Sequence, residues 1–149
     1  KENSPEGWRF VERQNYSIAL DEETVFNGNY AVSITSKEDY QELGGINEFQ
    51  YIAYNLPYNF QGKRIRVSGY MKTENVSDKG WAGFYIRVDP FVDFINMRSY
   101  NITGTTNWAK YELEVDINDD ASSFSVGAMM ANQGKMWIDN LEVFVDGVK

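Results

Sequence analysis

The chain has 149 residues, is 42% hydrophobic and 15% aromatic, and carries a formal net charge of -8. This composition predicts one folded domain with a sizeable core, and the negative charge argues against a nucleic-acid or anionic-membrane partner, which clustered Lys and Arg would bind. The sequence contains no Cys and no His. Disulfides, Cys nucleophiles, Ser-His-Asp triads and His-ligated zinc are therefore excluded, and a bound metal would be a hard ion on oxygen ligands.

The chain begins with a polar stretch, residues 1–7, which we interpret as a lead-in, and we assign residues 8–149 to a single domain. The sequence does not start with Met, and it shows neither a signal peptide nor an apolar run long enough to span a bilayer. We therefore expect a mature fragment or an excised domain. A secreted or cell-surface location is favoured over a cytoplasmic one.

Short stretches of alternating apolar and polar residues follow, separated by turn signals at intervals of about 8–12 residues, as in all-β domains. The strand candidates are residues 8–11, 16–20, 30–35, 48–56, 63–73, 80–89, 95–100, 108–117, 124–130 and 136–145. Residues 36–43 could form one helical turn, although a structured loop fits their short length better. The alternation slips at Asp139-Asn140, which indicates a β-bulge. The pattern predicts an antiparallel β-sandwich or barrel.

Residues 80–89, with the sequence GWAGFYIRVD, carry the strongest functional signal. With a period of two they divide into an apolar face for the core and a second, mixed face. The apolar face comprises Ala82, Phe84, Ile86 and Val88, and the mixed face comprises Trp81, Tyr85, Arg87 and Asp89. Aromatic rings offer a sugar ring a surface for stacking, and Arg and Asp offer directional hydrogen bonds. Alternatively, the aromatics pack beneath a loop and Arg87–Asp89 is a surface ion pair of about 0–1 kcal/mol.

Two earlier strands differ in how clearly they alternate. Residues 63–73 place an apolar set inward and a polar set outward, the outward set being Arg64, Arg66, Ser68, Tyr70 and Lys72. Residues 48–56 carry large side chains on both sides. Phe49, Tyr51 and Ala53 share one side, and Gln50, Ile52 and Tyr54 share the other. The sequence therefore leaves open which side of this strand faces the core.

Five segments match one pattern in order: GKRIRVSGYMKTENV from residue 62, GWAGFYIRVD from 80, NM at 96, GTTNW from 104 and GKMWIDNL from 134. From Trp8 onward the chain resembles the jelly-roll, galactose-binding-like domains related to carbohydrate-binding modules. In bacteria such domains are appended to glycoside hydrolases, secreted peptidases and some transcription regulators. The resemblance implies a jelly-roll β-sandwich that binds a ligand. It does not identify the ligand, because the superfamily binds many and some members have none known.

The sequence departs from this family at two places. Relatives usually open with an Asn-x-Gly-Phe-Glu segment, which is missing here, and Ile95 stands where an Asp often precedes the Asn-Met pair. The Glu of the missing segment often helps to bind a structural calcium, so the calcium expectation weakens. Asp139, with backbone oxygens near Gly28, is the one candidate calcium ligand. A turn or bulge role for Asp139, without metal, is the preferred interpretation.

The candidate ligand site combines the mixed face of residues 80–89 with the outward face of residues 63–73. It assumes that both strands lie in one sheet and form a concave patch. The candidate ligand-binding residues are Trp81, Tyr85, Arg87, Asp89, Tyr70, Arg66, Asn96, Asn132 and Gln133. Alternatively, Arg87, Asp89 and Asn96 form a structural network that holds the loop of residues 90–94 against the sheet. Trp108 and Trp137 lie beside turns and are expected to pack at the rim.

Three functions follow from these patterns. The preferred one is a non-catalytic carbohydrate-binding module that targets a larger protein, through its neighbouring domains, to a glycan. The alternative is a sensory or domain–domain interaction module of a larger bacterial protein without a sugar ligand. A small glycoside hydrolase would need two carboxylates about 5–10 Å apart, and only Asp89 and Asp93 lie near the aromatic face. We therefore expect no catalytic residue and no cofactor other than a structural calcium.

Overall fold

A computed structural model of the chain describes residues 8–10, 15–37, 49–56, 64–89, 93–116 and 123–145. These residues form short to medium β-strands and a single turn of 3-10 helix at Arg98–Tyr100. The strands are β1 (Trp8–Phe10), β2 (Tyr16–Asp21), β3 (Ala31–Ser36), β4 (Phe49–Leu56), β5 (Arg64–Val76), β6 (Trp81–Asp89), β7 (Asp93–Asn96), β8 (Gly104–Asp116), β9 (Ser123–Ala131) and β10 (Lys135–Val145).

The strands form two five-stranded sheets. The sheet with the order β1-β4-β9-β6-β7 is called the front sheet here, and the sheet with the order β2-β3-β10-β5-β8 is called the back sheet. Every strand pair is antiparallel. The antiparallel β-sandwich predicted from the sequence is confirmed.

The core lies between the two sheets and follows from the alternation of the strands. Phe84 and Ile86 of β6 and Val67 and Met71 of β5 are fully buried, and a buried Phe or Ile contributes about 1.5–3 kcal/mol. Gly69 of β5 makes room for this packing. A Cβ at Gly69 would lie 2.8 Å from Leu141 Cδ1 and 3.0 Å from Phe84 Cζ.

The predicted strand boundaries need correction around β7. The sequence placed residues 90–94 in a loop and residues 95–100 in a strand. In the structure β7 covers Asp93–Asn96, and a 3-10 turn follows, closed by the N–H of Tyr100 donating to the carbonyl of Met97 at 3.0 Å. The side chain of Met97 is fully buried, and this anchors the turn where the strand pattern had been expected to continue.

The predicted bulge in β10 is confirmed. The pairing of β10 with β5 shifts register between Asp139 and Glu142, and Asn140 has a positive φ of 51°. Asn adopts this left-handed conformation more readily than most residues. The predicted lead-in, the 36–43 segment after Lys37 and positions 90–92 of the predicted loop lie outside the described residues. Among the residues that the structure describes, no helix is long and apolar enough to cross a membrane.

Candidate functional site

The outer face of the front sheet carries a hollow of about 240 Å³. Register explains its lining: Tyr85 lies opposite Gly127, Arg87 opposite Ser125, and Tyr51 opposite Met129, so these side chains all point away from the core. The lining residues, which define the front hollow, are Arg9, Phe49, Tyr51, Tyr85, Arg87, Ser125 and Met129. Four strands, β1, β4, β6 and β9, therefore contribute to one site.

Tyr85 forms the floor of the front hollow. Its side chain is only 4% exposed, and its hydroxyl donates a hydrogen bond to the carbonyl of Ile52 at 3.0 Å. This reach across β9 depends on Gly127, because a Cβ at Gly127 would lie 1.9 Å from the Ile52 oxygen and 3.0 Å from the Tyr85 hydroxyl. Burial, with a smaller contribution from Tyr51, raises the pKa of Tyr85, so the phenol keeps its proton.

Aromatic rings form one wall of the front hollow. The ring of Tyr51 meets the ring of Tyr85 edge to face, with centroids 6.3 Å apart and an interplanar angle of 82°. On its other side Tyr51 lies beside Phe49 with centroids 6.0 Å apart and an angle of 25°. These geometries are favourable for aromatic pairs. The rings are therefore held in place before any ligand arrives.

Two guanidinium groups border the same hollow. The Nε of Arg87 donates to Asp89 Oδ1 at 3.1 Å, and this pair is largely exposed, at 61% for Arg87 and 37% for Asp89. Arg9, on the outer side of β1, is exposed and forms no ion pair with a residue that the structure describes. The charges of both arginines partly offset the rise in the pKa of Tyr85 that burial causes, so both act on the floor of the hollow.

Trp81 lies on the predicted face, but the structure corrects the expectation that it is open to a ligand. Its side chain is only 8% exposed. The next outward position on β6 is Gly83, and a Cβ there would lie 2.5 Å from Met97 Cβ. The segment after β7 therefore lies over β6 at Gly83, and the N–H of Ala82 donates to the carbonyl of Ile102 at 3.1 Å. The outer face is covered at the Trp81 end, whereas at the other end of β6 the front hollow lies over Tyr85 and Arg87 is exposed.

Arg66 and Tyr70 do not join this face, which corrects the assumption that their strand shares a sheet with residues 80–89. They lie on β5 in the back sheet, on the opposite outer surface of the sandwich. Arg66 is ion-paired with Glu112, and its guanidinium lies 4.0 Å from the centroid of the Phe144 ring. The ring of Tyr70 stacks on Phe26 at a centroid distance of 3.8 Å.

Asn132 and Gln133 lie in the turn after β9, beyond the covered end of β6. Asn132 Nδ2 donates to the carbonyl of Lys79 at 2.7 Å, and the Asn132 carbonyl accepts a hydrogen bond from the Tyr16 hydroxyl at 2.9 Å. The backbone carbonyl of Gln133 accepts from the N–H of Ser77 at 2.8 Å. Neither residue lines the front hollow. Their contacts join the β5–β6 and β9–β10 turns.

Asn96 is half-buried on edge strand β7 and lies opposite Tyr85, so it borders the predicted face without lining the hollow. The predicted network of Arg87, Asp89 and Asn96 is formed in part, as the Arg87–Asp89 pair. The loop that this network was expected to hold lies outside the described residues at positions 90–92, as does the side chain of Asp93.

Asp139 anchors a loop. Its Oδ2 accepts the N–H groups of Phe26 and Asn27 at 3.0 and 2.9 Å, and its Oδ1 accepts the N–H of Asn140 at 2.8 Å. In the described part of the chain, no group of three or more acidic side chains could hold a metal ion. A carboxylate that already accepts several N–H groups has less capacity for a cation. These contacts agree with the turn or bulge role that the sequence favoured for Asp139.

The two tryptophans beside turns pack on the outer face of the back sheet. Trp137 is buried, and its indole N–H donates to Asp21 Oδ2 at 2.9 Å. Trp108 is half-buried, and its ring lies 5.9 Å from that of Phe26. Both residues therefore take part in packing, as expected from the sequence.

Comparisons with solved structures agree on the fold. The structures include the xylan-binding CBM22-1 domain of Paenibacillus barcinonensis Xyn10C, with a TM-score of 0.62 and 14% identity over 99% of this chain and 91% of that one. A CBM61 module in complex with β-1,4-galactotriose matches with a TM-score of 0.56 and 12% identity over 97% of this chain and 92% of that one. The chain has the jelly-roll fold of carbohydrate-binding modules.

The chain also matches parts of longer proteins of other kinds. It matches the enzymatically active domain of bacteriophage CBA120 tailspike protein 4, with a TM-score of 0.68 and 11% identity over 97% of this chain but 20% of that chain. The sequence of the chain is 30% identical over 131 residues to the uncharacterized HTH-type transcriptional regulator YbfP of Bacillus subtilis. That match covers 85% of this chain, which spans 42% of the length of the regulator. No protein-family model matches the sequence.

Sequence reasoning missed part of the lining of the hollow. Phe49 and Tyr51 had been placed on one side of their strand, but the core side could not be chosen because both sides carry large residues. Pairing with β9 decides it: Tyr51 lies opposite Met129, and fully buried Gln50 lies opposite Met130. Arg9, Ser125 and Met129 had no signal of their own. Only the order of strands in the jelly roll brings them beside Tyr85.

Proposed function

We propose that this chain is a non-catalytic carbohydrate-binding domain whose sugar site is the front hollow. The observation that carries the proposal is the convergence of two tyrosines, a phenylalanine and two arginines from separate strands on one hollow. A sugar ring presents C–H surfaces that stack on aromatic rings and hydroxyls that accept hydrogen bonds from guanidinium groups. The lining offers both kinds of interaction in one place.

Preorganisation of the rings supports the same proposal. Tyr51 is held between Phe49 and Tyr85, and the Tyr85 hydroxyl is fixed on the Ile52 carbonyl. A site whose side chains are already ordered loses less conformational entropy when it binds. Tyr51 is the half-buried member of the pair, so we assign it the stacking role, with Tyr85 beneath it as support.

The size of the hollow limits the ligand. Its volume of about 240 Å³ is below the roughly 300–1,000 Å³ of pockets that enclose a drug-sized molecule. The hollow would therefore take a sugar unit of a longer glycan and bind it with modest affinity, because little apolar area is buried. Such a domain would hold the longer protein that contains it close to a glycan, and a secreted or cell-surface location belongs to the same proposal.

The lining also supports a non-catalytic role. Glycoside hydrolysis uses two carboxyl groups placed across the scissile bond. The described residues that line the front hollow include no carboxylate, and the carboxylate of Asp89 is paired with the lining residue Arg87. We therefore propose binding without turnover, and hydrolysis of a glycoside that is lost in Asp89→Asn would contradict it.

A glycan array followed by titration calorimetry tests the proposal. Tyr51→Ala removes the stacking ring, and we expect at least a roughly tenfold loss of affinity, since one aromatic contact contributes about 0.5–1.5 kcal/mol beyond its buried area. The matched control is Tyr70→Ala on the back sheet, which should leave affinity unchanged. Silence of the unmodified protein on every glycan, or equal loss in both variants, would contradict the assignment.

The similarity to YbfP favours a second candidate, the ligand-sensing domain of a transcriptional regulator. The helix-turn-helix motif needs two helices, whereas the described residues here contain only the 3-10 turn at Arg98–Tyr100. The described part of this chain therefore corresponds to a portion of the regulator other than that motif. A domain that senses a soluble sugar should bind a disaccharide as tightly as a polymer, whereas a glycan-targeting module should gain affinity with chain length. A disaccharide-to-hexasaccharide series separates the two.

A further inference from the structure

The electrostatics of the front hollow contrast with those of the whole chain. The sequence has a net charge of -8, yet the described residues that line the hollow include two guanidinium groups and no carboxylate. Asp89 binds Arg87 through Nε at 3.1 Å. The two terminal nitrogens of Arg87 form no hydrogen bond with a residue that the structure describes. The site is thus locally cationic on an acidic protein.

The two arginines act on the same point. Arg9 comes from β1 and Arg87 from β6, and β4 and β9 lie between these strands. Both nevertheless line one hollow, and the positive charge of each favours the ionised form of the Tyr85 phenol at its floor. Two cations that line one hollow together with aromatic rings form a receptor for an anionic group carried beside a flat apolar surface.

Two arginines of the back sheet, Arg64 and Arg66, are in a different electrostatic environment. On the outer face of the back sheet, Arg64 is ion-paired with Glu114 and Asp116, and Arg66 is ion-paired with Glu112. Acidic residues on the neighbouring strand β8 therefore neutralise these cations. Arg9 has no such acidic partner among the described residues. Within the described part of the chain, its charge is therefore not neutralised by an ion pair.

We infer that the front hollow takes a uronic acid unit, with its carboxylate between Arg9 and Arg87 and its ring over Tyr51. This inference rests on the proposed carbohydrate-binding function and names its substrate class. A carboxylate accepts paired hydrogen bonds from a guanidinium fork, and such charge-assisted bonds are roughly twice as strong as hydrogen bonds between two neutral groups. A neutral sugar would gain the stacking and hydrogen bonds from the guanidinium groups to its hydroxyls, but it would form no ion pair with either arginine.

The test compares α-1,4-linked trigalacturonic acid with its methyl ester, which removes the charge and keeps the shape of the sugar. By titration calorimetry in 50 mM NaCl, we expect the affinity for the acid to be at least about tenfold higher than the affinity for the ester. A gain of this size corresponds to one charge-assisted hydrogen bond. Raising the NaCl concentration to 300 mM should lower the affinity for the acid and leave the affinity for the ester unchanged, because salt screens exposed charges.

Arg9→Gln is the decisive variant. Arg9 forms no ion pair with a described residue, so the substitution breaks no such pair in that part of the fold. This substitution should reduce the affinity for the acid to the level of the affinity for the ester. The control Arg66→Gln, on the back sheet, should change neither affinity. Equal binding of acid and ester, or an unchanged preference in Arg9→Gln, would overturn the inference and leave the proposed function intact. Absence of binding to trigalacturonic acid also overturns the inference. The proposed function fails with it only if neutral xylo- and galacto-oligosaccharides give no binding either.

Discussion

The two outer faces of the sandwich use the same residue types in opposite ways. On the front sheet, Tyr85 and Arg87 line a hollow that is open to a ligand. On the back sheet, Tyr70 is stacked on Phe26, and Arg66 is paired with Glu112. The residue types are alike, but a loop and an acidic neighbouring strand occupy the back face. A tyrosine and an arginine on one strand face thus line a hollow on the front sheet, whereas on the back sheet Phe26 and Glu112 lie against them.

Gly127→Val should cause the largest change in stability, because the valine side chain would fill the space beneath the front hollow. A Cβ at Gly127 would lie 1.9 Å from the backbone oxygen of Ile52, and backbone cannot move aside as a flexible side chain can. We expect a loss of about 3 kcal/mol or more in the free energy of unfolding, measured by urea denaturation. Ser125→Ala, on the same strand and face, should change stability by less than about 1 kcal/mol. Near-native stability of Gly127→Val would show that β4 and β9 separate easily here.

Phe26→Ala and Tyr51→Ala should separate stability from binding. Phe26 stacks on Tyr70 at 3.8 Å on the back face, and its removal should cost about 1–2 kcal/mol of stability with no change in glycan affinity. Tyr51→Ala should have the converse effect, a large loss of affinity and a smaller loss of stability. If Phe26→Ala also weakens glycan binding, the two faces are not independent.

Tyr85→Phe should weaken the floor of the hollow while it keeps the ring. The substitution removes the bond from the hydroxyl to the Ile52 carbonyl at 3.0 Å, and loss of one buried hydrogen bond costs about 0.5–1.5 kcal/mol. Thermal unfolding would show a lower midpoint, and glycan affinity should fall only slightly. A full loss of binding would indicate that the hydroxyl contacts the ligand directly.

Asp21, on the back sheet, should make the stability of the protein decrease at acid pH. The N–H of Thr24, the indole of Trp137 and the N–H of Glu23 together hold the pKa of Asp21 below its usual value of 3.8. The folded pKa is therefore below the unfolded one. The stabilisation is present above the unfolded pKa and is lost as the pH falls through the lower, folded pKa.

Trp137 reports this titration directly, since its indole donates to Asp21 Oδ2 at 2.9 Å. Stability measured from pH 6 down to pH 2 should fall less steeply in Asp21→Asn than in the unmodified protein, and the acid-induced change in tryptophan emission should shrink with it. Identical profiles for the two proteins would show that Asp21 does not contribute.

Asp89→Asn should have the smallest effect on stability. The Arg87–Asp89 pair is largely exposed, and exposed pairs contribute about 0–1 kcal/mol. We expect a change in the free energy of unfolding within that range, smaller still at high salt. A loss well above 1 kcal/mol would favour the alternative in which this pair is part of a structural network.

The alternation of β6 determined, from sequence alone, which of its side chains face the core and which face outward. Strand geometry enforces this, since successive side chains point to opposite faces. For the same reason the sandwich class, the bulge at Asp139-Asn140 and the outward direction of Arg87 could be predicted locally. The position of Tyr85 on the outer face was predicted in the same way.

Only the tertiary structure decided which faces meet. Whether β5 and β6 share a sheet depends on pairing between residues far apart in the chain, and the period of two carries no information about it. The same non-local pairing brought Arg9 and Tyr51 to Tyr85 and placed Met97 over β6 at Gly83, which closed the Trp81 end. A strand pattern specifies direction, whereas a site requires neighbours, and neighbours are set by the order of strands in the fold.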